Sequence, residues 1–216
     1  MNNKIFITGI GTGVGKTIVS ACVTEALQAD YWKPVQTGLA EGTDTDTVRR
    51  LLSNTVTVCH QEAYCLHEPA SPHLAARLEK ITIDTDFIVQ EANRLRPAGR
   101  ALVMEGAGGL MVPLNEEIFT LDLIGQLQAG VIIVAQNYLG SINHAMLTAK
   151  VLKHTGVSVI GWIFGGDEHS NEDDVVRWSG FPKIGRIPQA VQVDKEFIRQ
   201  QASVLAAPLN ALLHDH

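Results

Sequence analysis

Short runs that are apolar on both faces alternate along this chain with longer stretches of helical spacing. The apolar runs fall at residues 5–8, 31–35, 102–104, 131–135, 159–164 and 183–187, and each predicts a strand. A strand with one wet face alternates apolar and polar residues. Val131-Ile132-Ile133-Val134 does not alternate, as expected of a strand covered on both sides within a parallel sheet. Between these runs the spacing predicts helices over residues 17–28, 45–52, 71–78, 84–95, 121–128, 142–154 and 194–205. Thr120 and Ser141 are placed to cap two of them at the N-terminus, and Gly156 to end one. Strand and helix in strict alternation imply an α/β fold of three layers, a mostly parallel sheet with helices on both faces. Residues 1–216 suit one domain of this kind. Residues 39–72 are the least regular and are expected to supply site loops.

Composition narrows the function classes. A 45% hydrophobic content is ordinary for a globular core. The net charge of −6 and the absence of any basic run argue against a nucleic-acid partner or a membrane surface. The apolar runs are far too short to cross a bilayer. Met1-Asn2-Asn3-Lys4 leads directly into the first apolar run, leaving no room for a secretory leader. Three cysteines, Cys22, Cys59 and Cys65, lack zinc-ligand spacing and read as reduced thiols, which fits a cytoplasmic protein. The eight histidines show no metal-binding pair.

The chemistry begins at residues 9–17, Gly-Ile-Gly-Thr-Gly-Val-Gly-Lys-Thr. They sit between a predicted strand and a predicted helix, the setting in which a glycine-rich turn cradles phosphates. Glycines turn backbone N–H groups inward, and the helix start adds its positive dipole end. Gly11, Thr12, Gly13, Val14 and Gly15 would line the phosphates, Lys16 would reach the outer ones, and the Thr17 hydroxyl would hold magnesium. Five residues separate Gly9 from Gly15, where the usual loop has four.

Two further strand ends carry charge. Glu105 closes the 102–104 run and opens Gly106-Ala107-Gly108-Gly109; it suits a magnesium ligand, or else a residue that caps the turn. Lys33, in Lys33-Pro34-Val35-Gln36-Thr37-Gly38, either supplies a fixed cation for phosphoryl transfer or is a surface lysine. Asp44 and Asp46, taken alone, read as helix-cap residues.

Together these segments resemble the dethiobiotin synthetase family. The resemblance runs from the phosphate loop to Pro188 and includes Ser71-Pro72-His73, the run Leu139-Gly140-Ser141-Ile142-Asn143-His144-Ala145-Met146-Leu147-Thr148, Gly161-Trp162 and Gly185-Arg186-Ile187-Pro188. The five-residue loop spacing is a variant found in that family. What the resemblance implies is an ATP- and magnesium-dependent cyclo-ligase. It would close a cyclic urea on 7,8-diaminopelargonic acid with CO2, through a carbamate and a carbamic–phosphoric anhydride, releasing dethiobiotin, ADP and phosphate.

By position, the family pattern makes Thr17, Asp46 and Glu105 the magnesium shell and Lys16 and Lys33 the catalytic cations. Thr37, Gly108 and Gly109 would meet the diamine. Ser141, Ile142 and Asn143 would do so from the second subunit of a homodimer. Gly165, Gly166 and Pro188 would surround the base. Gly165 stands where the family commonly has an asparagine that reads adenine, so base selectivity is expected to relax toward other nucleoside triphosphates. Two other readings share the phosphate loop: an amidating ligase like that of cobyrinic acid synthases, and a partitioning-type switch ATPase. The first usually carries a fused amidotransferase domain, for which 216 residues leave no space. The second calls for a further lysine early in the loop, and residues 9–14 contain none.

Overall fold

The computed structural model of the chain describes residues 4–95, 99–166 and 171–214. Residues 1–3, which the sequence leads into the first strand, lie outside them. Six strands form the main sheet: β1 (Lys4–Gly9), β2 (Asp30–Trp32), β5 (Leu102–Glu105), β6 (Gly130–Gln136), β7 (Val159–Gly165) and β8 (Lys183–Ile187). Their order is β2-β5-β1-β6-β7-β8, and every pairing is parallel. β1 is central because its six residues are buried throughout and can be covered from both sides.

The chain leaves β1 toward one edge, returns through β5, and then builds the other half from β6 to β8. Such a reversal of strand order opens a crevice at the strands' C-terminal ends. The helices are α1 (Lys16–Leu27), α2 (Asp44–Leu51), α3 (Pro72–Leu78), α4 (Thr85–Leu95), α5 (Thr120–Leu127), α6 (Ser141–Thr155), α7 (Glu172–Ser179) and α8 (Lys195–His214). Helix α1 packs with α2 and α8, whereas α4 packs on α5 and α6 on α7.

Four local expectations change. The run at 31–35 is two strands, because Pro34 has no N–H to give the main sheet and turns the chain out of it. β3 (Val35–Thr37) instead pairs with β4 (Tyr64–Leu66), a strand too short to stand out in the sequence. Helix α7 adds an element where no strong apolar run exists; its buried residues are Glu172, Val175 and Ser179. Helix α8 runs past residue 205 through Pro208. There the buried stripe Ile198, Ala202, Leu205, Leu209 continues and outweighs the backbone bond that the proline cannot make. At the caps, Thr120 and Ser141 are first helical residues rather than N-caps, which are Phe119 and Gly140. Gly156 ends α6 with φ +69°, a conformation that suits glycine.

Candidate active site

The loop between β1 and α1 turns over the C-terminal tip of the central strand. Gly15 precedes the helix at φ +90°, where a side chain would strain the backbone. Gly109 lies so close that an added Cβ would stand 3.0 Å from the Gly9 carbonyl oxygen. Two glycine-rich turns thus pack backbone to backbone. Beside them opens a cavity of about 750 Å³. Thr12, Gly13, Gly15, Lys16 and Thr17 line it from the loop, Lys33, Gln36, Thr37 and Asp44 from the second segment, and Glu105, Ala107 and Gly108 from the end of β5.

Four charged groups meet there. Lys33 is 5% exposed, and its Nζ contacts Asp44 Oδ2 and lies 3.3 Å from Glu105 Oε1. Burial disfavours the Lys33 ammonium, but Glu105 and then Asp44 more than offset this and raise its pKa above the ordinary lysine value. Asp44 shows the reciprocal effect. Burial pushes its carboxyl up, while Lys33 and the Thr17 hydrogen bond together pull it below the ordinary range.

Lys16 is treated differently. Its ammonium donates to the Gly11 carbonyl at 2.8 Å. Burial lowers its pKa from 10.5 to about 8, Lys33 adds to the lowering, and Glu105 and Asp44 oppose it only in part.

The Thr17 hydroxyl oxygen lies 2.9 Å from Asp44 Oδ1 and 2.9 Å from Glu105 Oε1. A hydroxyl has one proton and can donate to one of these oxygens at a time. With the Lys33 ammonium also donating to Glu105 Oε1, these oxygens are paired, and one hydroxyl and two carboxylates converging in this way are the hard-oxygen donor set a magnesium ion takes. Among the described residues no cluster of three His, Cys, Asp or Glu could hold a metal alone. Two carboxylates and a hydroxyl leave the remaining positions to phosphate oxygens and water, as magnesium's slow dehydration favours. These residues fit the ion.

Asp46 corrects the expectation drawn from the sequence. It is exposed, and its carboxylate pairs with Arg49 one helical turn on, at 2.6 Å. Thr43 caps α2 by accepting the Asp46 N–H at 3.0 Å, which places Asp44, not Asp46, at the helix start facing Thr17. The Asp44 N–H is held in turn by Gln36 Oε1 at 3.1 Å.

Tyr31 is a second residue that the sequence reading did not single out. Its hydroxyl donates to Glu105 Oε2 at 2.9 Å in a fully buried setting. Burial and the Glu105 charge raise its pKa well above the ordinary value, so it stays a donor. A usable signal was present: Tyr31 and Lys33 are two residues apart in an extended segment and therefore face the same side.

Other expected residues separate into groups. Thr37 and Gly108 line the cavity, and Gly109 braces the loop behind it. Val14, Gly165, Gly166 and Pro188 line a neighbouring apolar cavity of about 220 Å³ on the far side of Gly13 and Gly15. Ser141, Ile142 and Asn143 open α6 and line neither cavity of this chain.

A parallel sheet carrying a glycine-rich loop at the tip of its central strand, with Lys16 and Thr17 opening the next helix, defines a P-loop nucleotide-binding α/β protein. The family described as "AAA domain" matches residues 3–196. ATP-dependent dethiobiotin synthetase of Christiangramia forsetii is 45% identical over 94% of this chain and 95% of that protein. The synthetases of Cytophaga hutchinsonii and Agrobacterium fabrum are 43% and 41% identical, covering 92% and 93% of this chain and 95% and 92% of theirs. The chain belongs to the dethiobiotin synthetase family, a family of ligases. Its fold is also that of a MinD cell division protein from Aquifex aeolicus, with TM-score 0.59, 13% identity and coverage of 99% and 98%. A ParA family ATPase from Chlorobium tepidum gives TM-score 0.58 at 15% identity, covering 100% and 99%. No helix among the described residues is long and apolar enough to cross a membrane.

Proposed function

We propose that this chain makes dethiobiotin from 7,8-diaminopelargonic acid, CO2 and ATP. The observation that carries the proposal is the convergence of Lys16, Lys33, Thr17, Asp44 and Glu105 on one cavity beside the phosphate loop, in a chain 45% identical to a named dethiobiotin synthetase. Family membership, at 41–45% identity to named synthetases, favours ring closure over the amidating ligase and the switch ATPase.

In this reading one amine of the substrate takes up CO2 as a carbamate. A carbamate oxygen attacks the γ-phosphorus of ATP, ADP leaves, and a carbamic–phosphoric anhydride forms. The second amine attacks the carbonyl carbon and expels phosphate, closing the urea. The central obstacle is that a carbamate anion must approach a polyanionic phosphate. Lys16 and Lys33 lower that barrier, since fixed cations need no reorganisation as charge moves. Magnesium held by Thr17, Asp44 and Glu105 would supply further neutralisation of the phosphate oxygens. Thr37, at the cavity rim, hydrogen-bonds the diamine or its carbamate. Holding both amines near one carbonyl supplies the proximity contribution.

The site is completed by a second copy of the chain. Ser141, Ile142 and Asn143 begin a fifteen-residue helix whose start suits a carboxylate, yet they do not reach this chain's own cavity. Leu139 and Leu147, at 104% and 58% exposure, flank that start and are suited to a contact between copies. The direct test is incubation with diaminopelargonic acid, bicarbonate, magnesium and ATP, followed by mass spectrometry. A cyclic urea product supports the proposal, and ATP consumption without it overturns the substrate assignment.

A further inference from the structure

The cavity bounded by Gly165, Gly166 and Pro188 meets the phosphate loop at Gly13 and Gly15, so a nucleotide whose phosphates sit in that loop directs its base there. We infer that Gln136 is the residue that reads the base, and that its carboxamide selects a 6-aminopurine. This rests on the nucleotide reading given above.

Four observations lead to it. Gln136 ends β6, pairs directly across to Gly165 on β7, and lines the cavity. Its carboxamide has no hydrogen-bond partner among the described residues, although the residue is half-buried. The two glycine carbonyls beside it are already engaged: Gly165 accepts from the Asn137 N–H at 3.4 Å, and Gly166 accepts from Arg186 Nη2 at 2.8 Å. Arg186 is itself held by buried Glu172 at 3.3 Å, so this wall of the cavity is fixed. The other polar side chain on the lining, Gln189, is exposed and sits on a loop.

Glycine at 165 is not forced by packing, since an added Cβ would meet nothing closer than 4.0 Å. Its effect is to leave the space beside Gln136 open. A carboxamide offers an acceptor and a donor side by side. Its oxygen can take the exocyclic amine of adenine while its NH2 gives to the adjacent ring nitrogen. A position at a strand end holds such a group more firmly than a loop does. Selectivity lost with the side chain absent at Gly165 is thereby supplied from the neighbouring strand.

The test is a cycle between protein and ligand. kcat/KM is measured for ATP and for purine riboside triphosphate, which lacks only the 6-amino group, in wild type and Gln136→Ala. Inorganic tripolyphosphate, bound competitively, reports the phosphate loop alone. In wild type ATP should be preferred by about tenfold, the scale of one hydrogen bond left unmade. In Gln136→Ala the preference should fall to about one, through KM with kcat kept, and tripolyphosphate binding should not change. Gln136→Leu, which keeps the bulk, should behave alike if the alanine variant folds poorly. Equal preference in wild type and variant overturns the inference alone. Failure of ATP and tripolyphosphate to bind wild type overturns the nucleotide reading beneath it.

Discussion

Lys33 Nζ lies 3.3 Å from Glu105 Oε1, a cation and an anion that are respectively 5% and 1% exposed. The same ammonium touches Asp44. One buried lysine therefore pairs with both carboxylates assigned to magnesium and offsets one of their two charges. A divalent ion arriving with nucleotide would take over that role and leave the Lys33 charge for the reacting anions.

Replacing Lys33 or Lys16 by glutamine is accordingly expected to slow turnover at saturating substrate by about 2.7–4 kcal/mol in the barrier. Lys16→Gln leaves the Lys33 ion pairs in place, so its melting temperature should move little. Lys33→Gln and Lys33→Met both remove the ammonium that pairs with Asp44 and Glu105. The methionine variant should lose about 3–5 kcal/mol of stability, and the glutamine variant less because it still donates a hydrogen bond. Steady-state kinetics beside thermal melts separate the two effects. Near-normal kcat in Lys33→Gln would remove its assigned role.

Asp44 and Asp46 stand two residues apart and should respond oppositely. Asp44→Asn removes a charge from the Thr17–Glu105 oxygen cluster and is expected to weaken magnesium activation about a hundredfold. Asp46→Asn breaks only an exposed pair with Arg49 and should stay within about 0.5 kcal/mol in stability, with unchanged kcat. Magnesium titrations of both variants decide between the two aspartates.

The depressed pKa of Lys16, about 8, has a consequence for binding. Phosphates arriving beside the ammonium favour its charged form and raise that pKa again. Above about pH 8 the free protein holds Lys16 partly neutral, so nucleotide binding must take up a proton there, and affinity should fall as pH rises. Below pH 7 the uptake should vanish. Calorimetry in buffers of different ionisation enthalpy measures the proton directly, and Lys16→Met should abolish it. Stability of the free protein runs the other way. A lysine whose folded pKa is lowered stabilises the fold as pH rises between about 8 and 10.5, where the unfolded chain binds more protons.

Much of this architecture was legible in the sequence because buried parallel strands write themselves as unbroken apolar runs. Val131-Ile132-Ile133-Val134 lies in β6 with each residue buried. The phosphate loop was legible for a related reason: its glycines are demanded by backbone geometry and so mark the turn. What escaped depends on contacts between distant segments. Asp44 reaches Thr17 across 27 positions and Tyr31 reaches Glu105 across 74, and no local pattern records either. Choosing Asp46 over Asp44 was a matter of helix phase, which Thr43 sets by capping the Asp46 N–H. Gln136 was hidden likewise, since its place opposite Gly165 follows from strand register.

The start of α6 offers the remaining prediction. Tyr138 and Leu139 are 42% and 104% exposed just before Gly140, whose φ of +100° turns the chain into the helix. Leu147 projects from the next turns at 58% exposure, while Ala145 and Ala149 face inward. A solvent-facing helix start would ordinarily carry charge, and Ser141-Ile142-Asn143 carries none. Burying Leu139 and Leu147 against a second copy would contribute about 1.5–3 kcal/mol for each side chain. Placing aspartate at such a position would leave a charge in an apolar contact, a larger penalty than losing the contact itself. Wild type is therefore expected to sediment as a homodimer at micromolar concentration, and Leu139→Asp to shift it toward monomer. If the helix start also completes the substrate site, the KM for the diamine should rise with dissociation while nucleotide binding in this chain's own loop is retained. A monomeric wild type with full activity would remove both the dimer and the shared site.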